Sequence, residues 1–197
     1  TLIASGPVQK VLQIDFTGVH SDTGKTFLAR HQFHLFAGRS EILYDFSFRN
    51  SSRDQMLQLS SVNKGFYNVT PGGNVLSPND KFAGLDRDGK ILTDDLKNGG
   101  YYVRRAQHRK SVWVDAFNEE ANLGFGYAYK STPDLETVLL QYIEKNGRTR
   151  MSDLYSPPDV VLWPEQKVSY QQWYVAHRGD YHAVEQFATQ MDQITAP

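Results

Sequence analysis

Arg30, Gln32 and His34 take alternate positions in the run KTFLARHQFHLF. On an extended strand alternate residues share one face. A guanidinium, an amide and an imidazole therefore stand in line. Sugar hydroxyls donate and accept hydrogen bonds, and a row of planar polar side chains can read them. A solvated outer sheet face is the competing account. His31 points to the opposite face, so His31 and His34 cannot share one metal from a regular strand.

A second cluster lies in YYVRRAQHRKSVWVDAF. Arg104, Arg105, His108, Arg109 and Lys110 form the one concentrated basic patch, flanked by Tyr101, Tyr102 and Trp113. Such a set suits an acidic glycan. A guanidinium pairs with a uronate carboxylate, and a ring stacks on the C–H face of the sugar. His108 or Tyr102 would supply the base that a polysaccharide lyase needs, and His34 is a further candidate. Arg30, Gln32, Arg104, Arg105 and Trp113 are the candidate binding residues. A charged hairpin tip is the plainer reading.

Other motifs reduce to local structure. In Arg178-Gly179-Asp180 the glycine suits a turn and the aspartate a helix N-cap, which explains the tripeptide without adhesion. Asp86-Arg87-Asp88-Gly89 opens like a calcium loop but lacks the later oxygen ligands, and a hairpin turn accounts for it. Glu119 and Glu120 are adjacent and do not oppose each other across a sugar. No P-loop, G-x-S-x-G or H-E-x-x-H occurs, and no metal or cofactor is expected.

The elements that position these residues are mostly strands. Ile42, Tyr44, Phe46 and Phe48 alternate with Leu43, Asp45 and Ser47, the pattern of a half-buried antiparallel strand. Gly38-Arg39 marks the hairpin before it. Strands are expected near 8–17, 26–37, 41–49, 55–63, 101–107, 111–117, 159–163 and 167–176, with 135–144 read as strand and a hairpin near 86–89. The two glycines of GFGYAY indicate a bulge or another element pressed close. One helix is expected at about 180–193, from Asp180 as N-cap and the stripe Tyr181, Val184, Phe187 or Ala188, Met191, Ile194. The fold class is thus all-β, an antiparallel sandwich with one C-terminal helix, in a single domain over 1–197.

Composition bounds the rest. The 197 residues carry 21 basic and 22 acidic side chains, a net charge of −1, which offers no global case for nucleic acid. No apolar run is long enough to span a bilayer as a helix. Cysteine is absent, which excludes thiol chemistry and disulfides. That fits a secreted or periplasmic protein.

GPVQKVLQIDF, HLFAGRSEILYDFSFRN, SVWVDAFNEEANLGFGYAY and VVLWPEQKVSYQQWYVAHRGDYHAVEQF resemble segments of the galactose-mutarotase-like supersandwich, in its polysaccharide-lyase and bacterial branches. The resemblance covers most of residues 6–190. It implies a carbohydrate-active protein, most concretely a lyase or related enzyme on an acidic glycan. The alternative is a non-catalytic glycan-binding or assembly subunit, with a partner or a second copy. Members of that family are usually longer than this chain. Aldose mutarotases carry a His-Pro motif where this chain reads LQLSSVNKGFYNV, which argues against a true aldose mutarotase.

Overall fold

The computed structural model describes residues 1–19, 23–59, 62–67, 77–85, 89–96, 100–104, 111–130, 138–145, 148–155 and 160–194. The fold is an antiparallel β-sandwich with one helix, in two compact units: 1–60 with 158–173, and 61–157 with 174–197.

In the first unit, β1 (Leu2–Ser5), β2 (Gln9–Val19), β3 (Thr26–Phe36) and β4 (Glu41–Asn50) form an antiparallel meander. Its register runs from Gln9↔Phe36 to Val19↔Thr26, then from Leu35↔Ile42 to Phe27↔Asn50. Gly38, with φ 74°, makes the β3–β4 turn; a side chain is rarely tolerated at that angle. The alternation in β4 is the expected one. Tyr44 and Phe46 are buried, and Phe46 meets the rings of His31 at 5.0 Å and Tyr170 at 5.1 Å. Two short strands, β5 (Leu57–Leu59) and β14 (Val160–Leu162), pair with each other.

Buried Asn50 organises the end of this unit. Its Nδ2 donates to the carbonyls of Gln55 at 2.7 Å and Leu162 at 2.8 Å, and its Oδ1 accepts from the Ser52 N–H at 3.0 Å. Its backbone bonds Glu165 and Gln166, at 2.9 Å each.

In the second unit, β7 (Asp80–Leu85), β8 (Ile91–Asp95), β10 (Ser111–Asn118) and β11 (Leu123–Lys130) lie in the order β11-β10-β7-β8. A second sheet has the order β6-β13-β12-β9, from β6 (Val62–Tyr67), β9 (Gly100–Arg104), β12 (Val138–Lys145) and β13 (Arg148–Tyr155). Strand β15 (Lys167–His177) begins in the first unit and ends in the second.

Several expected boundaries change. Residues 55–63 do not make one strand: β5 pairs with β14, whereas β6 pairs with β13. The 101–107 and 111–117 strands do not form a hairpin, because β9 pairs with β12 and β10 with β7 and β11. Of segment 135–144, read as strand, residues 138–144 are strand in β12, and 135–137 lie outside the described residues. The hairpin near 86–89 is supported by the pairing of β7 with β8, although 86–88 lie outside the described residues.

The helix α1 (His182–Ile194) starts where expected. Asp180 Oδ1 accepts from the His182 N–H at 3.0 Å, the N-cap bond that satisfies an end-of-helix donor. Val184 and Ala188 are buried with Ala83, Trp113, Phe117, Ala128 and Val175, and Tyr181, Phe187 and Met191 pack on them. From Tyr181 to Met191, the stripe read from the sequence is therefore the face that closes this core.

Candidate functional site

The meander places Arg30, Gln32 and His34 on one face of β3, each beside a polar partner. Arg30 stands opposite Asp15 in register and grips it with two bonds, Nε to Oδ1 at 2.9 Å and an Nη to Oδ2 at 3.0 Å. The Arg30 guanidinium holds the Asp15 carboxyl below its usual range. The two side chains are 42% and 36% exposed, and a pair so exposed adds little stability. Its effect is to fix two charged groups in place. Gln32 stands opposite Gln13 and donates to its Oε1 at 2.8 Å, while Gln13 donates to Asp15 Oδ2 at 3.0 Å.

His34 ends the row. Its Nδ1 lies 2.9 Å from the Gln9 amide nitrogen. Donation by that amide makes Nδ1 an acceptor and leaves the proton of a neutral ring on Nε2. Nε2 sits 2.6 Å from Asp45 Oδ2, off the line of a straight hydrogen bond. Beyond His34 on the same face comes Phe36, stacked on Trp173 at 5.9 Å and 28°. A partly exposed imidazole–carboxylate pair thus lies beside two amides and an aromatic stack. These groups can hydrogen-bond a sugar's hydroxyls, cover its C–H face, and pass a proton.

On the opposite face of β3, His31 Nδ1 bonds the Tyr44 hydroxyl at 2.6 Å, with Phe16 and Phe46 edge-on to the imidazole. The two histidines indeed point apart. Among the described residues no group of three or more His, Cys, Asp and Glu could hold a metal.

Trp113 belongs to the second unit's core, stacked on Tyr181 at 5.9 Å and 7°. Tyr102 and Arg104 lie on β9, opposite Leu140 and Val138. Arg105 and His108 lie outside the described residues, as do the side chains of Tyr102 and Arg104.

A further pair was not foreseen. Asp115 of β10 is fully buried, and its Oδ1 lies 3.0 Å from Nε2 of His177, whose side chain is 6% exposed. Burial pushes the Asp115 carboxyl up. Burial also pulls the His177 imidazole down, but the hydrogen bond and charge of Asp115 outweigh it and leave its pKa raised. The trace of this pair in the sequence is GFGYAY. A Cβ on Gly124 would run into the His177 ring, and one on Gly126 would stand 2.7 Å from the Val114 carbonyl and 2.8 Å from Asp115 Oδ1. Gly126→Ala is expected to destabilise the protein by about 1–3 kcal/mol, the usual cost of overpacking, read as a lower urea midpoint at unchanged slope.

The arrangement of strands matches solved structures. A proposed aldose 1-epimerase from Klebsiella pneumoniae superposes with a TM-score of 0.61 at 11% identity, covering 95% of this chain and 56% of that one. The fold is galactose-mutarotase-like. An aldose epimerase homologue from C. elegans gives 0.56 at 11%, with 91% and 69% covered. A galactose mutarotase related enzyme from Lactobacillus acidophilus gives 0.56 at 9%, with 91% and 72% covered. This chain therefore spans little more than half the length of the Klebsiella protein. No family model and no curated protein matches its sequence. No helix among the described residues is long and apolar enough to cross a membrane.

Proposed function

We propose that this chain is a carbohydrate-processing β-sandwich protein whose site is the polar row on β2, β3 and β4. The observation that carries the reading is the His34–Asp45 pair, 2.6 Å apart, with Gln9 on the other imidazole nitrogen and Gln32 two residues away on the same face. With Nδ1 occupied by Gln9, the Nε2 side of His34 faces Asp45 Oδ2. The partly exposed Asp45 carboxylate, with the imidazole behind it, can take a proton from a sugar hydroxyl and return it to a neighbouring sugar oxygen. The amides hold the hydroxyls in place, and Phe36 with Trp173 offers an apolar ring surface.

Support for the sugar comes from this face and from neighbours described as aldose epimerases or mutarotase-related. Lyase action on an acidic glycan would instead call on Tyr102, Arg104, Arg105 and His108, and that reading rests on the sequence.

The test combines calorimetric binding to neutral and uronic sugars with two turnover assays: anomer exchange by NMR and formation of unsaturated product by ultraviolet absorbance. His34→Gln should lower turnover at least about tenfold with little change in binding, because it removes the imidazole that backs the Asp45 carboxylate and keeps an amide in its place. Gln32→Ala should weaken binding instead. Binding without turnover in the wild type would make this a glycan-binding module. No binding to any sugar would sink the reading.

A further inference from the structure

Taking the β2–β4 row as a sugar site, we infer that its ligand is a chain of several linked, uncharged sugar units laid along β3, with Trp163 as the platform at the far end. Three observations combine.

The first is length. The row does not stop at Arg30. Arg49 lies on the same face of β4 as Asp45 and Ser47, and stands opposite Leu28 of β3. From Leu28 to Phe36 the strand covers about 26 Å at ~3.3 Å per residue. That is several times the width of one sugar ring.

The second is charge. Both guanidiniums of this row already have a carboxylate: Arg30 has Asp15 and Arg49 has Glu165, while a third carboxylate, Asp45, lies beside His34. A uronate arriving here would meet three carboxylates against two guanidiniums. Hydroxyl groups, which accept from guanidinium and donate to carboxylate together, match such a surface better.

The third is the turn that follows β14. Trp163 is 57% exposed, which is unusual for so large an apolar ring. The turn that carries it is held firmly. Gln166 donates to the Trp163 carbonyl at 3.0 Å, and its side-chain oxygen accepts from the Trp163 N–H at 3.0 Å. Both Glu165 and Gln166 bond the backbone of Asn50. Glu165 is kept at φ 70°, a conformation that non-glycine residues rarely adopt, while its carboxylate pairs with Arg49. Strained residues held by their surroundings concentrate at ligand sites. An exposed tryptophan on a rigid turn, tied to the last charged pair of the row, is placed to stack on a ring of a bound chain.

The test titrates xylo-, cello- and manno-oligosaccharides of one to six units, and oligogalacturonates of the same lengths, by calorimetry. For at least one neutral series, affinity should rise at least about tenfold from disaccharide to pentasaccharide. Trp163→Ala should remove about that gain and leave disaccharide binding unchanged, while Trp163→Phe should keep most of it. Unchanged far-UV dichroism would show that the variants fold. Affinity independent of length, or a Trp163→Ala variant that binds the pentasaccharide as well as wild type, would overturn the inference and leave the sugar site standing. Tighter, salt-sensitive binding of oligogalacturonates would overturn its uncharged part. Failure of every sugar to bind would overturn both readings.

Discussion

Phe46→Ala is expected to cost about 3–5 kcal/mol, the range for emptying an aromatic site in a packed core. Phe46 is 4% exposed and wedged between His31 and Tyr170. The rest of that face of β3 and β4 is also aromatic: Phe33 meets Tyr44 at 5.0 Å, and Phe27 stacks on Phe48 at 4.9 Å. A ring removed from this array leaves a hole that its rigid neighbours cannot close. Phe46→Leu, which keeps more of the volume, should cost less. Equilibrium urea unfolding decides the matter: a loss below about 1 kcal/mol would mean that the face closes around the gap.

Asp115→Ala should be comparably damaging, at about 3–5 kcal/mol, because it strands a buried imidazole without its partner. The pH dependence separates this from a simple cavity. The folded-state pKa values of His177 and Asp115 both lie above their ordinary values. The folded state then binds more protons than the unfolded one, so stability falls as pH rises. The contribution of His177 is fully present below about pH 6.5 and is lost as pH climbs through its raised value. Urea midpoints measured from about pH 6 to about pH 9 should decline in the wild type and flatten in Asp115→Asn, which removes the charge that raises His177. Equal slopes in both proteins would show that other groups set the pH response.

The meander was legible because period two runs through it without interruption. The face of β4 that holds Tyr44 and Phe46, and the common face of Arg30, Gln32 and His34, both follow from alternation. Partner choice did not follow. Residues 55–63 read as one strand because nothing in QMLQLSSVN says that its two ends pair with different segments roughly a hundred residues downstream, and the rest of β6 was not read as strand. β13 was missed outright, since RTRMSDLY has no apolar period and its strand character comes from lying between β12 and β6. The His177–Asp115 contact joins residues 62 apart and left only the two glycines that make room for it. The polar row was visible; the partners that tie up its charges were not, because Asp15, Asp45 and Glu165 lie on other elements.

The closure of Asn50 on Leu162 spans 112 residues, and it bears on the order of events during synthesis. The first unit is assembled from both sides of a long insertion, residues 61–157. A ribosome that has released the whole β1–β4 meander has therefore not yet made Leu162, Glu165 or Gln166, on which Asn50 closes. Until about a hundred further residues emerge, Asn50 has only its local partners Gln55 and Ser52, and the Tyr170 ring that covers Phe46 is missing. Such delayed, non-local closure slows folding and leaves strand edges open to association. The turn that presents Trp163 is thus among the last parts of this unit to take shape, and a truncation upstream of residue 162 removes it together with the bonds from Asn50 to Leu162, Glu165 and Gln166.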